Sequence, residues 1–366
     1  MGIERIHVSV VDKMRTFAEQ PFNVVLVLGT TTDPEAVKDV LKTFTADNLD
    51  AVALDFPVAT PEYKTVAKML AQDPHPDLFY VYSVTRGPTP AATDLSAALL
   101  AAKAAIEHDG LTPFYFVVLT EHEEITGDLE EVMDTAAANE WFVVAASPEG
   151  LTATQIRTLC NDLNSDRVLI VAHDASDTER PDAALAGYWA GMEVGSLTLD
   201  CKPLNNVSAA AFTGAQVATM LAGCPGVPAP IVYIKQAGVP VTVGSWSTNG
   251  TYADMRRAKD WLKARMTEAI LGLKLQNPKI PQTDHGQNMV CHCIEGVLNK
   301  ATSQGIVQPR GGSGQWEVVI PTLEWLARND PQALAKRHLR TIYVRLWPKG
   351  AWEEFTIVVE LSWSLD

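Results

Sequence analysis

From residue 22 to residue 192 the chain alternates two textures, and that alternation is the strongest limit on what it can fold into. Residues 22–29 (FNVVLVLG), 78–84 (LFYVYSV), 114–119 (FYFVVL), 141–146 (WFVVAA) and 167–172 (RVLIVA) are short runs of β-branched and aromatic residues. Such runs, apolar at successive positions, suit strands buried on both faces. Residues 51–56 (AVALDF) read as a shorter strand of the same kind. Helix-patterned segments fill the gaps. Residues 33–44 are expected to be a helix, with Asp33 as N-cap and Pro34 at the first helical position. Residues 61–72, 91–108, 128–139, 152–163 (capped by Thr152) and 182–192 are expected to be helices too. Strands alternating with helices imply an α/β domain with a largely parallel sheet.

The second half has a different texture. A helix is expected over 207–221, a short strand over 231–234, and a hairpin in VPVTVGSWSTNGTYAD with Asn249-Gly250 as one turn. Residues 256–273 form a strongly amphipathic helix, in which Ala258, Trp261, Leu262, Met266, Ala269, Ile270 and Leu273 recur at helical spacing. A loop over 279–283 leads to a second helix, 284–304, stopped by Gly305. RGGSG at 310–314 reads as a flexible loop, and the chain closes on a strand, turn and strand. The expected organisation is an N-terminal arm (1–20), an α/β domain (21–200), an α+β assembly domain (201–345) and a C-terminal strand or arm (346–366).

The formal charge of -15 excludes a chain built to hold nucleic acid or an anionic membrane, both of which need a basic surface. The opening MGIERIHVSVVDK has no apolar core of a signal peptide, and Ile6 stands where a myristoylation signal needs Ser or Thr. The cysteines number 5, an odd count scattered without an export signal, which suggests reduced thiols, most of them small buried hydrophobes.

Motifs for catalysis are missing where they would be expected. VLVLGTTTDPE has one glycine and cannot be a dinucleotide or P-loop turn. GGSG at 311–314 does not lead from a strand into a Lys-Ser/Thr helix start, and no G-x-S-x-G or H-E-x-x-H occurs. EHEE at 121–124 reads as a solvated acidic loop. HDASD, with His173, Asp174 and Asp177, follows a strand end, where α/β proteins keep functional groups. It is the one place for an alternative function, an enzyme or small-ligand binder; helix-capping loop residues explain it equally well. No catalytic, cofactor-binding or metal-binding residue is assigned, and no cofactor is expected.

NMVCHCIEG, residues 288–296, puts Cys291, His292 and Cys293 in a row, with His285 upstream. On the expected helix, Val290, Ile294, Val297, Leu298 and Ala301 define the apolar face. At about 100° per residue the two cysteines fall near opposite edges of that face and His292 points away. Three consecutive helical residues do not converge on one ion. They are expected to be packing thiols and an exposed imidazole.

Both ends of the chain can form strands. Residues 3–11 (IERIHVSVV) place Ile6, Val8 and Val10 in partial alternation, and 355–363 (FTIVVELSW) place Phe355, Ile357, Val359 and Leu361. Such ends can pair with another chain by strand addition or within their own subunit.

Four stretches together resemble the contractile tail sheath proteins of bacteriophages and related contractile injection particles. They are PHPDLFYVYSVTR (74–86), AALAGYWAGMEVGSLTLDCKPLNNV (183–207), GTYADMRRAKDWLKARMTEAILGLKLQNPKIPQTDHG (250–286) and the terminal strands (342–361). The resemblance runs from about residue 74 to the C-terminus and is strongest over 183–307. It implies a structural subunit and not an enzyme. Family sheaths stack six-fold rings around an inner tube, and terminal arms add strands to neighbours' sheets. The extended form is metastable, and contraction drives the tube through a target envelope, with genome ejection in a phage. Implied partners are neighbouring subunits, the tail tube protein, and baseplate and tail terminator proteins, with no direct nucleic acid and no membrane. The implied location is the host bacterial cytoplasm during assembly, then the virion tail or contractile particle.

Overall fold

The computed structural model describes residues 19–351, except 32, 34, 86–92, 121–124, 312, 338, 340 and 341. The strand-forming ends, with Ile6, Val8, Val10, Phe355, Ile357, Val359 and Leu361, lie outside the described residues, as does EHEE.

In chain order the elements begin with β1 (Val25–Thr31), β2 (Lys42–Thr45), α1 (Leu49–Asp55), α2 (Pro61–Leu70), β3 (Leu78–Thr85), α3 (Thr93–Asp109) and β4 (Phe116–Leu119). They continue with α4 (Ile125–Ala138), β5 (Phe142–Ala146), α5 (Ala153–Leu163), β6 (Val168–Ala172), α6 (Ser176–Glu179) and α7 (Pro181–Gly191). Then come α8 (Gly214–Met220), β7 (Ile231–Gln236), β8 (Val239–Val243), α9 (Ala253–Gln276) and α10 (Asp284–Ser303). The last are β9 (Pro309–Arg310), β10 (Ser313–Gly314), β11 (Trp316–Val319), α11 (Leu323–Asn329), α12 (Pro331–Ala335) and β12 (Tyr343–Leu346).

A sheet of 8 strands, ordered β2-β3-β1-β4-β5-β6-β7-β8, forms the centre. From β3 to β7 neighbours run parallel, and the edge strands β2 and β8 are antiparallel. The sheet runs across residue 200, taking β7 and β8 from beyond it. Alternate residues of each inner strand point to opposite faces. Val25, Val27, Phe116, Val118, Phe142 and Val144 join one core, which includes α7 and the α9–α10 hairpin. Leu26, Leu28, Val117, Leu119, Val143 and Ala145 join the other, with α3, α4 and α5. Both faces are therefore covered, which is why these strands lack a polar side in the sequence.

Several expectations change. Residues 33–44 are not a helix: Asp33 accepts the Glu35 amide in a local turn (2.9 Å), and Asp39 has a φ of 58°. The chain then enters β2, where Phe44 pairs with Phe79 of β3 at 5.7 Å between ring centroids. Tertiary pairing to the open side of β3 overrides the local helix signal. Residues 51–56, expected to be a strand, lie mostly in α1, capped by Asn48 accepting from the Ala51 amide at 3.1 Å. Val52 is its one fully buried side chain and Leu54 is 86% exposed, so this run never had two buried faces. The helix expected over 207–221 shrinks to α8, begun by a Thr213–Gln216 capping box. The residues before it form no helix: Cys201 and Lys202 bond to Thr242, and Ala210 donates to Tyr233 O at 2.9 Å.

The hairpin of this region joins β7 to β8 through Ala237 and Gly238, both at positive φ, while Asn249-Gly250 turns the chain between the bridged residues Trp246 and Tyr252. Around RGGSG, where an open loop was expected, Ser313 and Gly314 pair antiparallel with Arg310 and Pro309. Of the cysteines, Cys160 alone is buried; Cys201 is exposed and Cys224, Cys291 and Cys293 are half-buried.

Candidate functional site

The strand end at His173 is tied up by the chain itself. His173 leaves β6 beside the end of β5, and its ring is 2% exposed. Nε2 donates to Ser208 O (2.8 Å), and Nδ1 accepts the Ala175 amide (3.0 Å), which selects the tautomer protonated at Nε2. Both ring nitrogens are thus spent on holding the turn and the 205–211 crossover. Asp174 accepts the Ala211 amide at 3.1 Å, and the Asp177 amide donates to Glu149 at 2.9 Å. Nothing in this cluster presents an unpaired acid–base group to a substrate.

Glu179 completes the same tether. It accepts the Ser208 amide at 2.9 Å and pairs with Lys68 at 3.2 Å. Burial alone would raise its pKa, but the Ser208 and Lys68 hydrogen bonds together hold it below the ordinary 4.5. The folded state therefore favours the charged form. The resulting stability is present above pH 4.5 and is lost as pH falls through the lowered folded value. Glu179→Gln is expected to lose about 1 kcal/mol at pH 7. In urea melts the deficit should shrink towards zero on acidification below that value; a pH-independent deficit would exclude the charge as its cause.

A second polar centre lies under α9 and was not foreseen. Asp260 receives Arg167 through two parallel bonds (Nη1–Oδ2 and Nη2–Oδ1, each 2.8 Å) and the Tyr115 hydroxyl at 2.8 Å. Arg256 approaches the same carboxylate at 3.3 Å and bonds Asp166 at 2.7 Å. Burial, then the Asp260 charge, pushes the Tyr115 pKa well up, so the hydroxyl stays a donor. One turn away, Arg257 has no carboxylate among these partners. It donates to the carbonyls of Trp189 (2.8 Å), Phe22 (2.7 Å) and Met192 (3.0 Å), and packs over the rings of Phe116 and Trp189. Burial pushes its pKa down to about 10, leaving it a cation near neutrality. These bonds bolt the α9–α10 hairpin onto the sheet. The only signal in the sequence was a pair of charges, Arg257 and Asp260, flanking Ala258 and Trp261 on the apolar side of the helix.

The helix carrying NMVCHCIEG is α10. Its buried side chains include Val290, Ile294, Val297, Leu298 and Ala301, and His292 is exposed, paired with Glu295 at 3.0 Å. Burial raises the thiol pKa of both Cys291 and Cys293. Among the described residues no group of His, Cys, Asp and Glu converges as metal ligands would. A cavity of about 440 Å³ opens between α9, α10, α11 and α12. Its lining is mainly aliphatic, and its glutamines are engaged: Gln282 donates to Leu334 O (2.9 Å) and Gln287 to Pro321 O (2.7 Å). It holds no acid–base pair.

Beyond α10 lies a small sheet of 2 strands, β11 and β12, paired antiparallel from Trp316↔Leu346 to Val319↔Tyr343. Trp316, Val318, Val344 and Leu346 face the core, while Glu317, Val319, Tyr343 and Arg345 face outward. Among the described residues no third strand joins it. Tyr343 is 62% exposed, an apolar surface on a sheet too small to stand alone.

Residues 253–321, which span α9, α10 and all of β11, match the family described as "E217 tail sheath protein gp31-like, C-terminal domain". The fold is similar to solved contractile structures over nearly its whole length. Against the PVC sheath complex of an extracellular contractile injection system in its contracted state, the TM-score is 0.63 at 12% identity, covering 98% of each chain. Against a chain of the anti-feeding prophage (AFP) baseplate it is 0.61 at 14% identity, covering 100% of each. Against a sheath tail protein from Desulfitobacterium hafniense it is 0.56 at 11% identity, covering 87% of this chain and 93% of that one. No curated protein matches by sequence. At these identities the likeness establishes a shared fold, that of contractile sheath proteins.

Proposed function

We propose that this chain, with the fold of contractile sheath proteins, is the subunit of a contractile sheath. It polymerises in six-fold rings around an inner tube and shortens to drive that tube through a target envelope. The observation that carries this is likeness to the PVC sheath chain over 98% of the length, joined to the tail sheath match over 253–321. Its partners are neighbouring copies, the tube protein, and baseplate and terminator proteins. It assembles in a bacterial cytoplasm and ends in a phage tail or a related contractile particle. No helix among the described residues is long and apolar enough to cross a membrane.

The β11–β12 sheet supports a docking role for the terminal arms. Strands added from neighbours, carrying Ile6, Val8 and Val10 or Phe355, Ile357, Val359 and Leu361, would extend a sheet that otherwise has 2 strands. Each main-chain hydrogen bond contributes about 1 kcal/mol net, so a few hold subunits together while the rigid bodies rotate. No nucleotide is required, because the work is stored in the assembly.

Electron microscopy of the purified protein with its tube partner tests this: tubes or stacked rings are expected, and a chain that stays monomeric throughout would overturn it. Deleting residues 1–12 or 355–366 is expected to leave the circular dichroism spectrum and melting curve nearly unchanged while abolishing assembly. Truncated chains that unfold would show that the ends pair within one subunit.

A further inference from the structure

Helix α9 holds the described start of the chain along one stripe of its surface. Arg257, Trp261, Arg265 and Glu268 follow one another at spacings of three and four residues and so share a face. At one end of the stripe Arg257 takes the carbonyl of Phe22, whose ring is buried against Tyr115 at 4.8 Å. At the other, Gln20 is gripped through both of its main-chain groups. Its amide donates to Glu268 Oε1 at 2.7 Å, and its carbonyl accepts from Arg265 Nη2 at 2.8 Å. Arg265 and Glu268 are themselves paired at 2.5 Å, and the Arg265 guanidinium lies over the Phe22 and Trp261 rings. Glu19 is held by Arg265 at 3.3 Å and by Lys300 of α10 at 3.5 Å.

A backbone amide and carbonyl engaged by a paired acid and base is what a neighbouring strand would otherwise provide. Here a helix provides it, at an exposed residue just before the chain enters the central sheet. Resting on the sheath function proposed above, we infer that this stripe is the fixed root of the N-terminal arm. Arg265 and Glu268 act as positioning residues that keep Gln20 on α9 while the sheath shortens. Tension on residues before Glu19 then enters the α9–α10 hairpin and is passed on through the partners of Arg257 and Asp260, and does not pull directly on the end of β1.

The test is the full-length double variant Arg265→Ala/Glu268→Ala, compared with the parent in two measurements. Hydrogen exchange on the soluble subunit is expected to show at least a tenfold faster amide exchange at Gln20, with core strands unchanged. Sheaths assembled with the tube protein are expected to break on contraction. Unchanged exchange at Gln20 overturns the clamp. Faster exchange with sheaths that contract intact overturns its role in bearing load. If the parent itself forms no tubes, the sheath function fails and the load-bearing role with it, while the exchange measurement still reads the clamp.

Discussion

Replacing Asp260 with alanine is expected to destabilise the protein by about 3–5 kcal/mol, the loss that follows when one partner of a buried ion pair is removed. Arg167 is 3% exposed and its bidentate partner is Asp260, 7% exposed. Without that carboxylate a guanidinium remains out of water with no countercharge at its fork, and the Tyr115 hydroxyl loses its acceptor. Asp260→Asn preserves shape and one acceptor oxygen, so it should lose less than alanine. Urea unfolding of both variants measures the difference; a D260A loss below about 1 kcal/mol would show that solvent reaches Arg167. The variant should also relax the raised Tyr115 pKa only in part, because burial is its larger cause.

Trp189→Ala is expected to cost about 3–5 kcal/mol as well, by a different route. The indole is 1% exposed on α7, with Phe116 and Phe142 at 5.0 and 4.9 Å between ring centroids. It is the side chain on which the sheet, α7 and α9 meet. Truncation leaves a cavity whose aromatic walls belong to different elements, and it also removes one of the two rings beside Arg257. The walls cannot all collapse inward without dislodging the Arg257 hydrogen bonds. As a control, Trp325 on α11 is 51% exposed, and its replacement by alanine should stay within about 0.5 kcal/mol. Thermal or urea melts of the two variants check the contrast, and equal losses would remove the cavity argument.

Much of the fold was legible wherever burial is written as a local period. The expected apolar face of α10 reappears residue for residue in the structure because one helix packs one stripe, and 3.6-residue spacing records it. The inner strands were legible for the complementary reason, since a strand covered on both faces has no polar side. Thr152 was legible as a cap because its hydroxyl and Gln155 bond across four residues and need no distant partner.

What failed were segments whose state depends on neighbours far away in sequence. Residues 42–45 carry no strong strand signal and become β2 only because β3 has an open side. The AVALDF run looked like a core strand, yet α1 buries Val52 and turns Leu54 to water. The tail sheath resemblance, strongest over 183–307, overlaps the family match over 253–321, but it carried no hint of how α9 and α10 are fastened to the rest of the chain.

By itself the sequence determined the periodic parts of this protein: a parallel α/β core, the α9–α10 pair, and the exclusion of His292 from the apolar face of α10. Only the tertiary structure decided which charges are inside. Arg167, Arg257 and Asp260 have the same side-chain chemistry as surface residues, and even the placing of Arg257 and Asp260 beside apolar helix positions does not name the partners that satisfy them. Their burial becomes tolerable only when α9 packs against the end of α7 and the residues that lead into β4 and β6, because the partners that satisfy them come from Tyr115, Trp189, Met192 and Phe22. A helix period is a property of a few consecutive residues, whereas a satisfied buried charge is a property of the whole packed chain.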